Sequence, residues 1–382
     1  MRKMRSACVV MAVVVGAVVP VTAASSALPP AAANLACAVQ VVSSWPLTQI
    51  ANETIVVSVK AMNVAAMVPA SSAGFGGLLL FGDTGPSTMA TLLARVQAHA
   101  PQKFPMLVMT DEEGGGVERL TNFVGSFPWA HTMGLNLSAS RITAIAQRVG
   151  AALHAVGVTV DLAPVLDVDG RAAAPSATNP DGMRSFSGSP SVVAVDGAAF
   201  VQGLSQANET AVVKHFPGLG GASRNTDYGP ARTKPWSELQ KTALAPFEKA
   251  IAGGVPAVML SNASVPGLTA LPASLSPAVV SELRQQLGFR GLIVTDSLSA
   301  GAISAIHLSE PAAMVRAPQA GADLVLNGSP GTPANSLAQA QRDSNAVVAA
   351  VTNGTLSRST LIAAAAQVLA TRNVVACETP TS

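Results

Sequence analysis

The chain has 382 residues, and its charged residues, 12% of the total, nearly cancel to a formal net charge of +2. So sparse and balanced a charge, with no Lys/Arg cluster and no basic-aromatic interleaving, argues against nucleic acid as a partner. The length suits one large α/β domain or two small ones.

Residues 1–27 read as a secretory signal peptide. Arg2, Lys3 and Arg5 open it, an apolar run covers residues 8–21, and Val21-Thr22-Ala23 or Ser25-Ser26-Ala27 offers a small-residue cleavage site. The run is shorter than the roughly 20 residues a spanning helix needs, so export without stable membrane insertion is expected. Cys8 lies too early for a lipid anchor, and Cys37 follows Asn34-Leu35-Ala36, a poor processing box, so anchoring is the minor reading. Cleavage leaves Cys37 and Cys377 at the two ends of the mature chain. Domain termini often lie close together and exported proteins meet oxidising conditions, so the two are expected to form a disulfide. The reading divides the chain into a linker over 28–44, a folded domain over 45–375 and a tail over 376–382.

From Pro46 onward short apolar runs alternate with amphipathic stretches. The runs are Thr54–Val59, Gly77–Phe81, Met106–Thr110, Val158–Leu162, Ala211–Val213, Ala257–Leu260, Leu292–Thr295 and Ala322–Leu326. Helical patterns lie between them, at Ser87–Ala98, Ala139–Val156, Ser191–Leu204, Trp236–Ala252, Pro277–Leu287 and Glu310–Ala320, and after the last run at 333–353 and 358–372. Continuous apolar runs separated by helices predict parallel strands buried on both faces. Eight such units in about 300 residues fit a (β/α)8 TIM barrel, an α/β fold. The competitor is an open doubly wound sheet, but no Gly-x-Gly-x-x-Gly follows an early strand.

Polar residues gather where the runs end. Asp111-Glu112-Glu113 follows the third run, Asp161 and Asp167 belong to the fourth, Lys214-His215 closes the fifth, Ser261-Asn262 the sixth, Asp296-Ser297 the seventh and Asn327 the eighth. In a barrel these ends form the face that carries active sites. Carboxylates, a Lys and a His on one rim suggest a carbohydrate site. No metal or organic cofactor is implied, because the other His residues, His99, His131, His154 and His307, are scattered without ligand spacing.

Six stretches, in order, resemble glycoside hydrolase family 3, and its single-domain β-N-acetylglucosaminidases in particular. Lys214-His215-Phe216-Pro217-Gly218-x-Gly220 is similar to the family signature. Asp111-Glu112-Glu113-Gly114-Gly115-Gly116-Val117-Glu118-Arg119, Asp161-Leu162-Ala163-Pro164-Val165-Leu166-Asp167-Val168 and Arg184-Ser185-Phe186 resemble further family motifs. So do Pro272-Ala273-Ser274-Leu275-Ser276 and the stretch Leu287–Gly291 that leads into Val294-Thr295-Asp296-Ser297-Leu298. The resemblance implies that Asp296 is the nucleophile of a retaining double displacement, and that Asp111, Arg119, Arg184, Lys214 and His215 hold the sugar hydroxyls. Nearby Lys and Arg are expected to keep the Asp296 carboxyl ionised.

The sequence departs from the family in one loop. Where the single-domain glucosaminidases carry Asp-Ser-His, with the His as acid/base, this chain has Asn225-Thr226-Asp227. Leu219 and Gly116 also replace a His and an Arg. Two readings follow. Asp227 can serve as acid/base, with Asn225 hydrogen-bonding it or binding the substrate, and with the two carboxyls about 5–5.5 Å apart. Alternatively the barrel binds glycans and turns over weakly, Asp227 being a turn residue; Glu112 or Glu113 as the acid is a third, smaller option. A carboxylate at 227 would repel phosphate, so hydrolysis rather than phosphorolysis is expected. The expected protein is an exported, monomeric hydrolase of terminal β-linked N-acetylglucosamine, with a β-glucosidase as the neighbouring possibility.

Overall fold

The computed structural model describes residues 30–328 and 330–372; the proposed signal segment, Cys377 and the 376–382 tail lie outside them. Eight parallel strands run β1 (Ile55–Lys60), β2 (Gly77–Phe81), β3 (Leu107–Thr110), β4 (Val160–Asp161), β5 (Thr210–Phe216), β6 (Ala257–Leu260), β7 (Leu292–Thr295) and β8 (Val325–Leu326). Each pairs with its neighbour in sequence, and β8 returns to β1 through Ile55↔Val325 and Val56↔Leu326. A parallel bridge between Val294 and Leu324 joins β7 to the start of β8 and closes the ring. Helices cover the outside, so the fold is the (β/α)8 barrel expected from the alternation of runs and helices.

Side chains alternate across each strand, and the barrel sorts them into two cores. Val56, Leu79, Leu107, Met109, Val160, Val212, Met259, Leu292 and Val294 point inward and fill the lumen. Val57, Leu78, Leu80, Val108, Val213, Val258 and Ile293 point outward and pack under the helices. Burial on both faces is the reason these strands read as unbroken apolar runs.

Four expectations need adjustment. Residues 28–44 are not simply a linker: Pro30–Ser43 is a helix, with Pro at its start, packed against the C-terminal helix Arg358–Thr371. The fifth strand runs on through Lys214 and His215 to Phe216, whose ring meets Phe247 edge-on at 5.3 Å. The fourth and eighth strands are shorter than the runs that announced them. The stretch Trp236–Ala252 is two helices, Trp236–Leu239 and Leu244–Ala252. Pro246 accounts for that break: it has no N–H for the carbonyl of Thr242 and its ring would strike it.

Chain ends are tied together. Arg372 Nη1 lies 2.6 Å from Glu53 Oε1, both buried, and Arg372 Nη2 donates to Gly76 O at 2.9 Å. The last turn of the C-terminal helix is thereby fastened to the bottom of β1 and β2. Among the described residues no helix is long and apolar enough to cross a membrane.

Candidate active site

Strand parity delivers three of the expected side chains to one place. Met109 points inward on β3, so Asp111 two residues later faces the mouth of the barrel. Val212 does the same for Lys214 on β5, and Val294 for Asp296 after β7. His215 has the opposite parity, but the β5–β6 register shifts between Val213 and Phe216. That irregularity re-aims the chain, so Lys214 and His215 both reach the mouth while Phe216 returns to the outer core.

A cavity of about 400 Å³ opens at the C-terminal end of the strands. Asp111, Arg119, Arg184, Lys214, His215, Asn225, Asp227 and Asp296 all line it, together with Phe81, Leu219, Tyr228 and Ser297. The structure therefore brings together every candidate catalytic and sugar-holding residue read from the sequence.

The floor is a charge network built around Glu113. Its carboxylate accepts from Arg184 Nε at 2.7 Å and Nη2 at 2.8 Å, and lies 2.6 Å from Lys214 Nζ. Lys214 Nζ also donates to Asp111 Oδ1 at 2.6 Å. Burial works to raise the Glu113 pKa, but the Arg184 and Lys214 charges outweigh it and hold the carboxyl well below the usual range. Burial likewise works to lower the Lys214 pKa, and Asp111 and Glu113 outweigh it and raise it. Arg119 differs: its guanidinium lies 5.8 Å from the Phe81 ring centroid and its buried Nε has no hydrogen-bond partner. Arg119 also lines the cavity, so its guanidinium can donate to a substrate hydroxyl.

Asp296 sits just beyond β7, its N–H donating to Leu260 O at 2.9 Å and its Oδ1 accepting from Ser297 N at 2.7 Å. Burial raises its pKa, His215 opposes that, and the Asp227 charge adds to it. This corrects the expectation of a carboxyl held low by neighbouring cations. Lys214 and Arg184 are already paired with Asp111 and Glu113, so burial prevails.

Behind His215 lies a chain of buried groups that the sequence did not single out. His215 Nδ1 is 2.6 Å from Asp167 Oδ2, and Asp167 Oδ1 also accepts from Leu219 N at 2.5 Å. Asp181 is wholly buried, and neither of its oxygens has a donor from the rest of the protein. An ionised carboxylate there would have only the charges of Arg184 and His215 to offset its burial, so the protonated form is favoured, with Asp167 as the acceptor of its proton. Burial and then the Asp167 charge raise the Asp181 pKa well above the ordinary value. The row runs from neutral Asp181 to Asp167 to the Nδ1–H of His215, leaving Nε2 toward Arg184 Nη2 at 3.4 Å. Burial, followed by the Arg184 charge, lowers the His215 pKa to about 4, so the ring is neutral near pH 7. Ligand atoms of Asp167, Asp181 and His215 lie within 4.8 Å of one another, a spacing that could suit a cation. His215 Nδ1 and Asp167 Oδ2 already bond each other at 2.6 Å, so a cation here would have to displace that hydrogen bond.

The divergent loop crosses the mouth. Asn225 Oδ1 accepts from Asp227 N at 2.9 Å, which opens a short 3-10 turn over Thr226–Tyr228. Asn225 N donates to Ala177 O at 3.0 Å on one side. On the other the turn lies on Gly301, where a Cβ would stand 2.7 Å from Gly229 N and 2.8 Å from Asp227 O. Asn225 thus spends its side-chain oxygen on the turn. Asp227 is exposed, on the cavity wall, and near enough for its charge to act on Asp296.

Glu112 and Glu113 are removed as acids by the geometry. Glu112 is buried off the cavity, accepting from Arg119 N at 2.9 Å and Leu120 N at 2.6 Å, and Glu113 is committed to two cations. Asp167 and Asp181 are site residues that sequence reasoning left without roles, and Glu113, offered only as a possible acid, is instead the anion that holds Arg184 and Lys214. Glu113 and Asp167 stood inside quoted motifs; Asn179-Pro180-Asp181-Gly182 has the composition of an ordinary turn.

Comparison with known proteins gives concordant matches. Residues 48–371 match the model of the glycosyl hydrolase family 3 N terminal domain. Beta-hexosaminidase LpqI of Mycobacterium tuberculosis (strain ATCC 25618 / H37Rv) is 35% identical over 258 residues, 66% of this chain and 65% of that one. The chain therefore spans just under two thirds of that relative's length. A solved structure of a family 3 glycosyl hydrolase from Mycobacterium smegmatis superposes with a TM-score of 0.76 at 33% identity, covering 86% of this chain and 98% of that one. The beta-N-acetylhexosaminidase of Beutenbergia cavernae gives 0.77 at 31% identity, covering 87% and 99%.

Proposed function

The chain belongs to glycosyl hydrolase family 3, and from that premise we propose that it is an exported retaining exo-glycosidase removing terminal β-linked N-acetylglucosamine from cell-wall or chitin-type oligosaccharides. The relatives named beta-hexosaminidase and beta-N-acetylhexosaminidase support the sugar, and the apolar segment after Arg5 supports export. The observation that carries the reading is that a half-buried Asp296 lines one cavity with Asp227, whose charge acts on it, and with Asp111, Lys214 and Arg184 of the network that Glu113 holds.

In this reaction the Asp296 carboxylate attacks the anomeric carbon. The glycosidic C–O bond breaks as Asp227 gives its proton to the leaving oxygen. Water then attacks the anomeric carbon of the glycosyl–Asp296 ester, losing a proton to Asp227, as the bond from that carbon to the Asp296 oxygen breaks; the Asp296 carboxylate is regenerated and the sugar leaves with its configuration retained. Asp111, Lys214 and Arg184 bind the hydroxyls, neutral His215 accepts one at Nε2, and Arg119 donates from its guanidinium. The proton donor is a carboxyl on an anchored turn.

The test is release of N-acetylglucosamine from an unactivated β-linked disaccharide by the wild type and Asp227→Ala. A sugar leaving group requires protonation, so the substitution is expected to cost 10²-fold or more, within the range of about 10²–10⁴ for general acids. Wild-type turnover unaffected by the change would remove Asp227 from the role. The exposure of Asp227 favours a second reading, a glycan-binding barrel of weak turnover; binding of the disaccharide without hydrolysis would establish it.

A further inference from the structure

We infer that Tyr228 is the stacking platform for the leaving sugar, forming the wall of a second pyranose subsite outside the one that holds the terminal residue; this rests on the glycosidase reading above. Tyr228 is the chain's single tyrosine, in a sequence of only 4% aromatic residues. It lines the cavity and yet is 68% exposed, the most exposed of the large apolar side chains apart from Leu135. Among the described residues its ring enters no aromatic pair, unlike Phe216, Phe186 or Phe127. Packing therefore gives no reason for its presence.

Position supplies the reason. If Asp227 protonates the glycosidic oxygen, the sugar on the far side of that oxygen must lie beside Asp227, over the outer lip of the cavity. Tyr228 is the next residue on the same short turn. An aromatic ring there presents an apolar face to the C–H groups of a pyranose, and its hydroxyl stays in water, which suits an amphipathic side chain at a wet rim. The platform is also preorganised. Tyr228 N donates to Asn225 O at 3.2 Å, Asn225 N is held by Ala177 O, and the turn's backbone rests on Gly301. A ring carried on a held backbone has only its two side-chain torsions to lose when a ligand covers it. The subsite takes a neutral pyranose ring on its flat side and reads no particular hydroxyl, so it would accept either sugar of a mixed β-linked glycan.

The single tyrosine makes the test direct. The full chain with 3-fluorotyrosine incorporated gives one fluorine resonance, from position 228. Two probes are titrated: the methyl β-glycoside of N-acetylglucosamine, which has no second ring, and the thio-linked β-disaccharide, which is not hydrolysed. Binding of each is followed in parallel by calorimetry. The expected result is that both bind and only the disaccharide shifts the resonance. Tyr228→Ala should then weaken the disaccharide by about 3- to 10-fold, leave the methyl glycoside within about 2-fold, and be rescued by Tyr228→Phe. A disaccharide that binds with an unmoved resonance and undiminished affinity in Tyr228→Ala overturns the platform and leaves the glycosidase reading intact. Absence of binding by both sugars overturns the two together.

Discussion

Glu113 grips Arg184 with both carboxylate oxygens, Oε2 accepting from Nε and Oε1 from Nη2, and shares Oε1 with Lys214. One buried anion therefore sets the position of two cations that face the cavity. Glu113→Ala should leave Arg184 without a carboxylate and Lys214 with Asp111 alone, and destabilise the fold by about 3–5 kcal/mol, the usual cost of orphaning a buried charge. Urea unfolding would measure it, and sugar affinity should fall in the same variant. Unchanged stability would mean that Lys214 and Arg184 find other partners.

A neutral Asp181 makes a prediction opposite to what a buried aspartate usually invites. Asp181→Asn keeps a donor for Asp167 and should change stability by less than about 1 kcal/mol, whereas Asp181→Leu removes it and should cost about 1–3 kcal/mol. The nitrogen shifts of His215 provide a second readout, since the Nδ1–H tautomer should persist in the Asn variant. An Asn variant as damaged as the Leu variant would show that Asp181 is ionised.

Stability should fall as pH rises from mildly acidic to mildly basic conditions. Glu209 is buried with no hydrogen-bond donor, and burial raises its pKa from 4.5 to about 8. The folded state thus holds a proton that the unfolded state has released. The stabilisation is complete below about 4.5, declines through the interval and is gone above about 8. Burial gives Glu112 the same sign, to about 7. Thermal melts of wild type and Glu209→Gln between these limits would check it; the variant should show the flatter dependence.

The acidic limb of activity should follow Asp296. Burial and the Asp227 charge raise its pKa above 3.8, so the nucleophile becomes fully ionised only above the ordinary aspartate range. Asp227→Asn removes that charge and should move the limb of kcat/KM for an activated aryl glycoside to lower pH. A limb that stays in place would show that the two carboxyls do not interact.

Cys37 lies buried in the helix Pro30–Ser43, which packs on Arg358–Thr371, and Cys377 follows that helix by only a few residues. The pairing of Cys37 with Cys377 is expected to show as two alkylated thiols gained on reduction of the exported protein. Two thiols open to alkylation before reduction would exclude it.

What could be read from the sequence follows from how each feature is encoded. Strands such as Leu292–Thr295 and Ala257–Leu260 were visible because burial on both faces leaves an unbroken apolar run. Asp111, Lys214 and Asp296 were visible because a barrel places its chemistry at strand ends. Interactions among them were not. Whether Lys214 and Arg184 would serve Asp296 or neutralise each other's neighbours depends on distances between strands, and those gave Glu113 the decisive part. Asp181 was invisible because a Pro-Asp-Gly turn looks alike whether its carboxyl meets water or Asp167. The break before Leu244 was legible in principle from Pro246, whose conflict with a continuous helix the amphipathic pattern masked.

The turn at 226–228 is fastened almost wholly by main-chain atoms, to Ala177 O on one flank and to the bare Cα of Gly301 on the other. Thr226 is buried, but the exposed side chains of Asp227 and Tyr228 are correspondingly released from any duty to the barrel. Residues 227 and 228 can be exchanged, singly or together, without disturbing the strands that hold Asp296 and Lys214. The scaffold is in this sense a socket: the proposed proton donor and outer-sugar contact sit on one replaceable cartridge, while the proposed nucleophile and hydroxyl grips belong to the permanent housing.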